Sequence, residues 1–138
     1  MTKTSTIFHI VDKRFHALSS DGQRIMIDGE AIAKTGMSPM DLLLNAVGSC
    51  AAFDIVEMIK KKRLNINSYK IELTGTRPDA VPAPYTHIHA KHIFDVEGLK
   101  QKTAERFVDL GMNKYCSVAA SLRAEISFEV VLENNQSK

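Results

Sequence analysis

The chain is poor in the features that usually announce a chemistry. It holds only two cysteines, Cys50 and Cys116, and no Cys-x-x-Cys spacing. Two thiols alone make a poor zinc site. There is no glycine-rich loop between a strand and a helix, no Gly-x-Ser-x-Gly elbow and no His-Glu-x-x-His. Nucleotide binding, serine hydrolysis and zinc proteolysis therefore have no support. Excess charge is also missing. A formal net charge of +2 is too weak to draw the chain to nucleic acid or to an anionic membrane. The one basic cluster, Lys60-Lys61-Lys62-Arg63, falls where a helix ends, and cations favour the negative end of its dipole. The opening Met1-Thr2-Lys3-Thr4-Ser5 carries no apolar leader region, and Asp41, Asn45, Asp54 and Glu57 interrupt the most apolar stretch. Neither a signal peptide nor a membrane span is expected, so the predicted location is cytoplasmic, where a permanent structural disulfide would be unusual.

What is there is an ordinary globular composition, 44% hydrophobic and 25% charged, predicting one domain over residues 1–138. It divides into an N-terminal strand meander and loop over 1–37 and a remainder over 38–138. The meander reads as Thr6–Val11, Phe15–Leu18 and Gln23–Asp28, with turn residues Asp12-Lys13-Arg14 and Ser19-Ser20-Asp21-Gly22 between them. Ser38-Pro39-Met40-Asp41 then forms a helix start: a capping serine, a proline at the first helical position and an acid three residues after the cap. The helix is predicted to run to about Lys62. From Leu42 to Phe53 it carries no charge, which predicts burial on most sides.

Tyr69, Ile71 and Leu73 alternate with Lys70, Glu72 and Thr74, the period of a half-buried strand. The proline-rich Arg77–Pro84 segment cannot continue a central strand. Tyr85–Val96 reads as the pairing strand, and Leu99–Asn113 has helical spacing with Gly111 or Asn113 near its end. A short helix is expected at Cys116–Leu122. A last strand at Ala124–Leu132 turns Ile126, Phe128 and Val130 inward, and the tail Asn134-Asn135-Gln136-Ser137-Lys138 is expected to fray. Adjacent antiparallel runs of strands, rather than single strands alternating with helices, define an α+β fold.

Two constellations could carry chemistry. Cys50 sits mid-helix, where a thiol is usually a small buried hydrophobe and needs a nearby cation to become a thiolate. Cys116 begins a helical segment, so position alone would make it the more acidic of the two. His87 and His89 share a strand face and could form half of a metal site, but no third ligand has matching spacing. With Lys91 they read more simply as a polar strand face, and His92 points to the opposite side.

The run Ser38-Pro39-Met40-Asp41-Leu42-Leu43-Leu44-Asn45-Ala46-Val47-Gly48-Ser49-Cys50 resembles the cysteine-bearing central helix of the OsmC/Ohr family. Lys114-Tyr115-Cys116-Ser117-Val118-Ala119 resembles the second-cysteine segment of a less characterised branch, and the order of elements matches along the chain. The resemblance implies an intertwined homodimer in which antiparallel sheets wrap long central helices. It implies a thiol peroxidase that reduces organic hydroperoxides without metal, haem, flavin or any other cofactor. Cys50 matches the peroxidatic cysteine and Cys116 the resolving one. Attack of the Cys50 thiolate on peroxide would give a sulfenic acid, which condenses with Cys116 to a disulfide that a dithiol or lipoylated protein reduces. The family's hairpin arginine maps to Arg14, with Lys13 next in register; a guanidinium is always charged and can fork two hydrogen bonds. Met40 stands where the characterised peroxidases have a glutamate, and Ser117 where the best-known subgroup has a proline. Methionine makes a pocket more apolar, so a non-catalytic dimer that binds a small ligand or senses redox state is the alternative reading.

Overall fold

The structure, a computed structural model, describes residues 1–133. The tail expected to fray lies outside the described residues. By contact the chain falls into two compact units, Met1–Leu43 and Leu44 onward.

The first unit is an antiparallel meander of β1 (Ser5–Val11), β2 (Arg14–Ser19) and β3 (Arg24–Asp28), in the order β1-β2-β3. Its register aligns Ile7 with Ala17 and Ala17 with Ile25, and on the other face Phe8 with His16 and His16 with Met26. Alternation along each strand thus leaves apolar side chains on both faces. Ile7 (63% exposed) and Ile25 (49%) on one face, and Phe8 and Met26 on the other, are open to solvent. The loop that follows is built on one carboxylate. Asp28 is fully buried and accepts from the backbone N–H groups of Glu30 (2.7 Å) and Thr35 (2.6 Å) and from the Thr35 hydroxyl (3.1 Å). Lys34 closes it by donating to the carbonyls of Asp28 and Glu30.

Helix α1 (Pro39–Lys61) begins at the end of this unit and continues into the next. Its start is a reciprocal cap: the Asp41 amide donates to Ser38 Oγ at 3.2 Å, and the Ser38 amide to Asp41 Oδ2 at 3.3 Å. It ends with Lys60 and Lys61 in the last turn and Arg63 at a positive φ of 60°. By length and composition α1 could cross a membrane, but in the second unit it serves as the core helix.

That unit adds β4 (Ile66–Thr76), β5 (His87–Val96), α2 (Gln101–Asp109), a π-helical turn (Leu110–Tyr115), α3 (Ser117–Ala120) and β6 (Glu125–Leu132). The sheet order is β4-β5-β6. β4 and β5 pair antiparallel as expected, but β5 and β6 run parallel. The helical segments between them form a crossover that returns the chain in the same direction, so the sheet is mixed. Core residues are Val47, Ala51, Ile55 and Ile59 of α1, Ile88, Ala90 and Phe94 of β5, and Ala104, Phe107 and Val108 of α2.

Two further expectations change. α1 is not buried on most sides within one chain: only the stripe Val47, Ala51, Ile55 and Ile59, with Gly48, is inside, and Phe53 is 74% exposed. Nor does one helix fill Leu99–Asn113, because α2 widens into the π-helical turn at Leu110. Gly111 does not end that helix. A Cβ there would stand 3.0 Å from the Ala51 carbonyl oxygen and 2.9 Å from Ile55 Cγ1, so glycine lets the turn lie directly on α1.

Candidate active site

The close approach at Gly111 sets the position of the next cysteine. Chain leaving the π-helical turn reaches Cys116 against the middle of α1, where its Sγ lies 3.8 Å from the Val47 carbonyl oxygen. On its other side Sγ accepts from the Ala119 amide at 3.2 Å, capping α3 with sulfur in place of the usual oxygen. The Cys50 and Cys116 side chains are in hydrogen-bonding contact, and both cysteines are free thiols. Cys116 is 5% exposed, whereas Cys50 is half-buried. Two thiols distant in sequence thus face each other between one helix and one turn.

Electrostatics reverse the expectation for Cys116. Burial pushes its pKa up, the neighbouring Cys50 pushes it further in the same direction, and the amides of Ala119 and Val118 pull it down less. The start of a four-residue helix cannot offset desolvation. Cys116 is therefore a protonated thiol at neutral pH, with the Val47 carbonyl and the Cys50 sulfur as acceptors.

Arg14 belongs to the first unit. Its Nε donates to Asp28 Oδ2 at 3.2 Å and its Nη2 to the Ala33 carbonyl at 2.9 Å, while Nη1 stands 3.9 Å from Asp12 Oδ2. The guanidinium is forked between a carboxylate and a backbone oxygen. The backbone amides of Thr35 and Glu30, and after them the Arg14 guanidinium and the Thr35 hydroxyl, hold the Asp28 carboxyl well below the usual carboxylate range against the cost of burial. Lys13 offers its backbone N–H to Glu30 Oε2 at 2.9 Å. Met40 is half-buried at the start of α1.

His87 and His89 do share the outer face of β5. His87 Nε2 (2.8 Å) and His89 Nδ1 (2.7 Å) both meet the Ser127 hydroxyl, and His89 Nε2 lies 2.8 Å from Glu129 Oε2. The polar-face reading accounts for both rings, and among the described residues no group of three or more His, Cys, Asp or Glu side chains could hold a metal ion. His92 points the other way, into the core. Tyr69 Oη lies 2.7 Å from its Nδ1, and its Nε2 lies 3.2 Å from Met112 Sδ in the π-helical turn. Strand alternation puts His92 on the side opposite His87 and His89; its partners are not legible in the sequence because Tyr69 and Met112 lie on other elements. Asp28 was likewise read only as the end of a strand.

A cavity of about 270 Å³ lies between α1 and β4, lined by Gly48, Ser49, Ala52, Tyr69, Ile71 and Leu73 among others, and neither cysteine lines it.

The antiparallel meander, the mixed sheet, the long helix and the facing thiols define an OsmC-type α+β domain, and the comparisons with known proteins agree. The family model described as "OsmC-like protein" matches residues 30–131. Protein YhfA of Escherichia coli K12 is 37% identical over 117 residues, covering 82% of this chain and 87% of its own length. A crystal structure of a hypothetical protein from Aquifex aeolicus superposes with a TM-score of 0.76 at 33% identity, covering 96% of this chain and 98% of that one. The organic hydroperoxide resistance protein OhrB of Bacillus subtilis shares the fold with a TM-score of 0.60 at 17% identity, covering 96% of this chain and 98% of its own. The chain belongs to the OsmC family.

Proposed function

We propose that this protein is a cysteine-based thiol peroxidase that reduces organic hydroperoxides. The observation that carries the reading is the contact between Cys50 and the buried Cys116. Cys50 as thiolate attacks the terminal peroxide oxygen; the O–O bond breaks, the alkoxide takes a proton and leaves as the alcohol, and Cys50 becomes a sulfenic acid. Cys116 then attacks the Cys50 sulfur, its proton leaves with the hydroxyl as water, and the Cys50–Cys116 disulfide forms. A dithiol or lipoylated protein returns both thiols to the reduced state. Contact before oxidation supports the second step, because the resolving sulfur already lies beside the sulfur it attacks. Arg14 is assigned to steady the Cys50 thiolate and orient the peroxide, with Lys13 as the alternative cation. Its fork to Asp28 and Ala33 gives the guanidinium a fixed orientation, with Asp28 supplying a carboxylate where Met40 supplies none.

The active form is assigned as a cytoplasmic homodimer. The bare apolar residues of β1–β3 and the exposed Phe53 of α1 support it, since exposed apolar surface of this kind is the usual mark of an interface. No cofactor, nucleic acid or membrane enters the reaction.

Consumption of cumene hydroperoxide in the presence of dithiothreitol tests the reading, and Cys50→Ser is expected to abolish it. Unchanged turnover in that variant would refute the mechanism. The cavity between α1 and β4 favours a second reading, a non-catalytic or redox-sensing protein that holds a small apolar ligand. One equivalent of peroxide separates the two: the enzyme loses the mass of two hydrogens per chain as its disulfide forms, and a binder does not.

A further inference from the structure

The reaction proposed above uses Cys116 from its α1 side, where the Val47 carbonyl and Cys50 stand. A second cavity, of about 240 Å³, touches the same residue and is lined by Met112, Asn113, Lys114, Cys116, Ala120 and Ile126 among others. Its walls come from the π-helical turn, Cys116, α3, Ala124 and the start of β6, and no α1 residue lines it. Cys116 therefore stands between α1 and this cavity. The cavity beside α1 and β4 touches neither cysteine and offers no such route.

Thiol–disulfide exchange requires the attacking, attacked and leaving sulfurs to lie close to one line. In a Cys50–Cys116 disulfide, attack on Cys116 must come from the side opposite Cys50, which is the side away from α1. We propose that this cavity is the reductant site: a small dithiol enters it, attacks Cys116 and expels Cys50. This rests on the Cys50–Cys116 disulfide of the preceding reading. In the first step one reductant thiolate bonds to the Cys116 sulfur, the Cys50–Cys116 bond breaks, and Cys50 leaves with the electron pair and takes up a proton. In the second step the other reductant thiolate attacks its own sulfur in the mixed disulfide. The reductant closes as a cyclic disulfide, two electrons poorer, and Cys116 leaves and is protonated.

The rim carries a preference for charge. Lys114 is exposed, with Nζ 5.6 Å from the centroid of the Tyr115 ring, and exposed Asn113 lies beside it. A cation there raises the local concentration of a thiolate or an acid-bearing thiol. The cavity accepts the dithiol end of a small molecule and is too small for a folded segment.

The attacked sulfur can be mapped directly. The full-length protein is oxidised with diamide, which forms the disulfide without peroxide, and then exposed to 2-mercaptoethanol or 3-mercaptopropionate. A monothiol cannot complete the second step, so the mixed disulfide accumulates. Acid quenching, maleimide capping and peptide mapping are expected to find the monothiol on Cys116 and maleimide on Cys50. Ala120→Phe, which fills the cavity from its exposed edge, is expected to slow the exchange at least about tenfold by displacing the attacking sulfur. Lys114→Glu is expected to lower the rate of 3-mercaptopropionate relative to 2-mercaptoethanol by about tenfold at low salt. The monothiol on Cys50, no disulfide with diamide, or unchanged exchange in both variants would each overturn the proposal. Replacing diamide with cumene hydroperoxide tests the peroxidase reading separately: if only diamide oxidises the pair, that reading falls and the mapped sulfur stands.

Discussion

His92 Nε2 lies 3.2 Å from Met112 Sδ, joining the inner face of the sheet to the turn that delivers Cys116. The Tyr69 hydroxyl, 2.7 Å from Nδ1, is the donor on the other side, so the ring carries its proton on Nε2 and donates it to sulfur. Burial lowers the His92 pKa to about 4, and the ring is neutral throughout the physiological range. Between pH 6.5 and 4 the unfolded chain binds a proton at this histidine that the folded chain does not. Stability therefore falls as pH drops through that window, by an amount on the order of 3 kcal/mol for this group. Urea denaturation at pH 7 and pH 4.5 should show the loss, and His92→Gln should flatten the dependence.

Asp28 works in the same direction at lower pH. Its folded-state pKa is depressed, so its contribution is complete above the usual carboxylate range and is lost only as pH falls far below it. Asp28→Asn keeps the shape but replaces a carboxylate that serves two amides, a hydroxyl and the Arg14 guanidinium. Hydrogen exchange at the Glu30 and Thr35 amides is expected to accelerate in the variant at neutral pH, with exchange in β5 unchanged. If the Asp28 carboxylate holds Arg14 for the thiolate, peroxide oxidation of Cys50 slows as well; equal oxidation rates would show that Arg14 does not need Asp28 for that role.

Cys116 gives the opposite sign at the alkaline end. A thiol whose pKa is raised on folding holds its proton in the native state where the unfolded chain has lost it. The reduced protein should thus lose stability as pH rises above about 9, and Cys116→Ala should abolish that slope. Kinetics should show the same group, because disulfide formation needs the Cys116 thiolate. Stopped-flow oxidation at pH 6 to 9 should find the second phase accelerating with pH throughout.

How much of this was legible in the sequence follows from the range of each signal. The Ser38 cap, the strand alternation at Tyr69–Leu73 and the placing of His92 opposite His87 and His89 are local patterns of one element, and each appears where the pattern put it. The parallel pairing of β5 with β6 and the partners of His92 depend on which elements meet in space. A helical period could not reveal that α2 opens into a π-helical turn, because Gly111 has the same local signature in a cap and in a close contact. The Cys116 pKa is not legible for a related reason: its position at a helix start is local, but its desolvation is tertiary.

Gly111→Ala tests the contact that places Cys116. The added methyl group would meet the Ala51 carbonyl and Ile55, so the turn must lift away from α1. The cost is expected to be about 1–3 kcal/mol, as for other small-to-large changes in packed sites. Lifting the turn also separates the thiols, so the rate of disulfide formation should fall further than the rate of Cys50 oxidation. A variant that keeps both rates while losing stability would show that the contact serves packing alone.

Phe53 tests the dimer. It stands on α1 three residues beyond Cys50 and is 74% exposed in the single chain, a poor place for a phenyl ring unless a second chain covers it. Residues paired only within the chain, such as those of the Val47–Ile59 stripe, cannot distinguish the two states, but Phe53 can. Phe53→Lys leaves the intrachain core untouched and places a charge where the second copy is expected. Light scattering should then find a monomer, or a dimer that dissociates on dilution, whereas the unmodified chain stays dimeric. If Arg14 reaches the thiolate only in the dimer, peroxidase activity should become dependent on protein concentration in the variant. A Phe53→Lys protein that stays dimeric and fully active would remove α1 from the interface and leave the bare β1–β3 sheet to account for association.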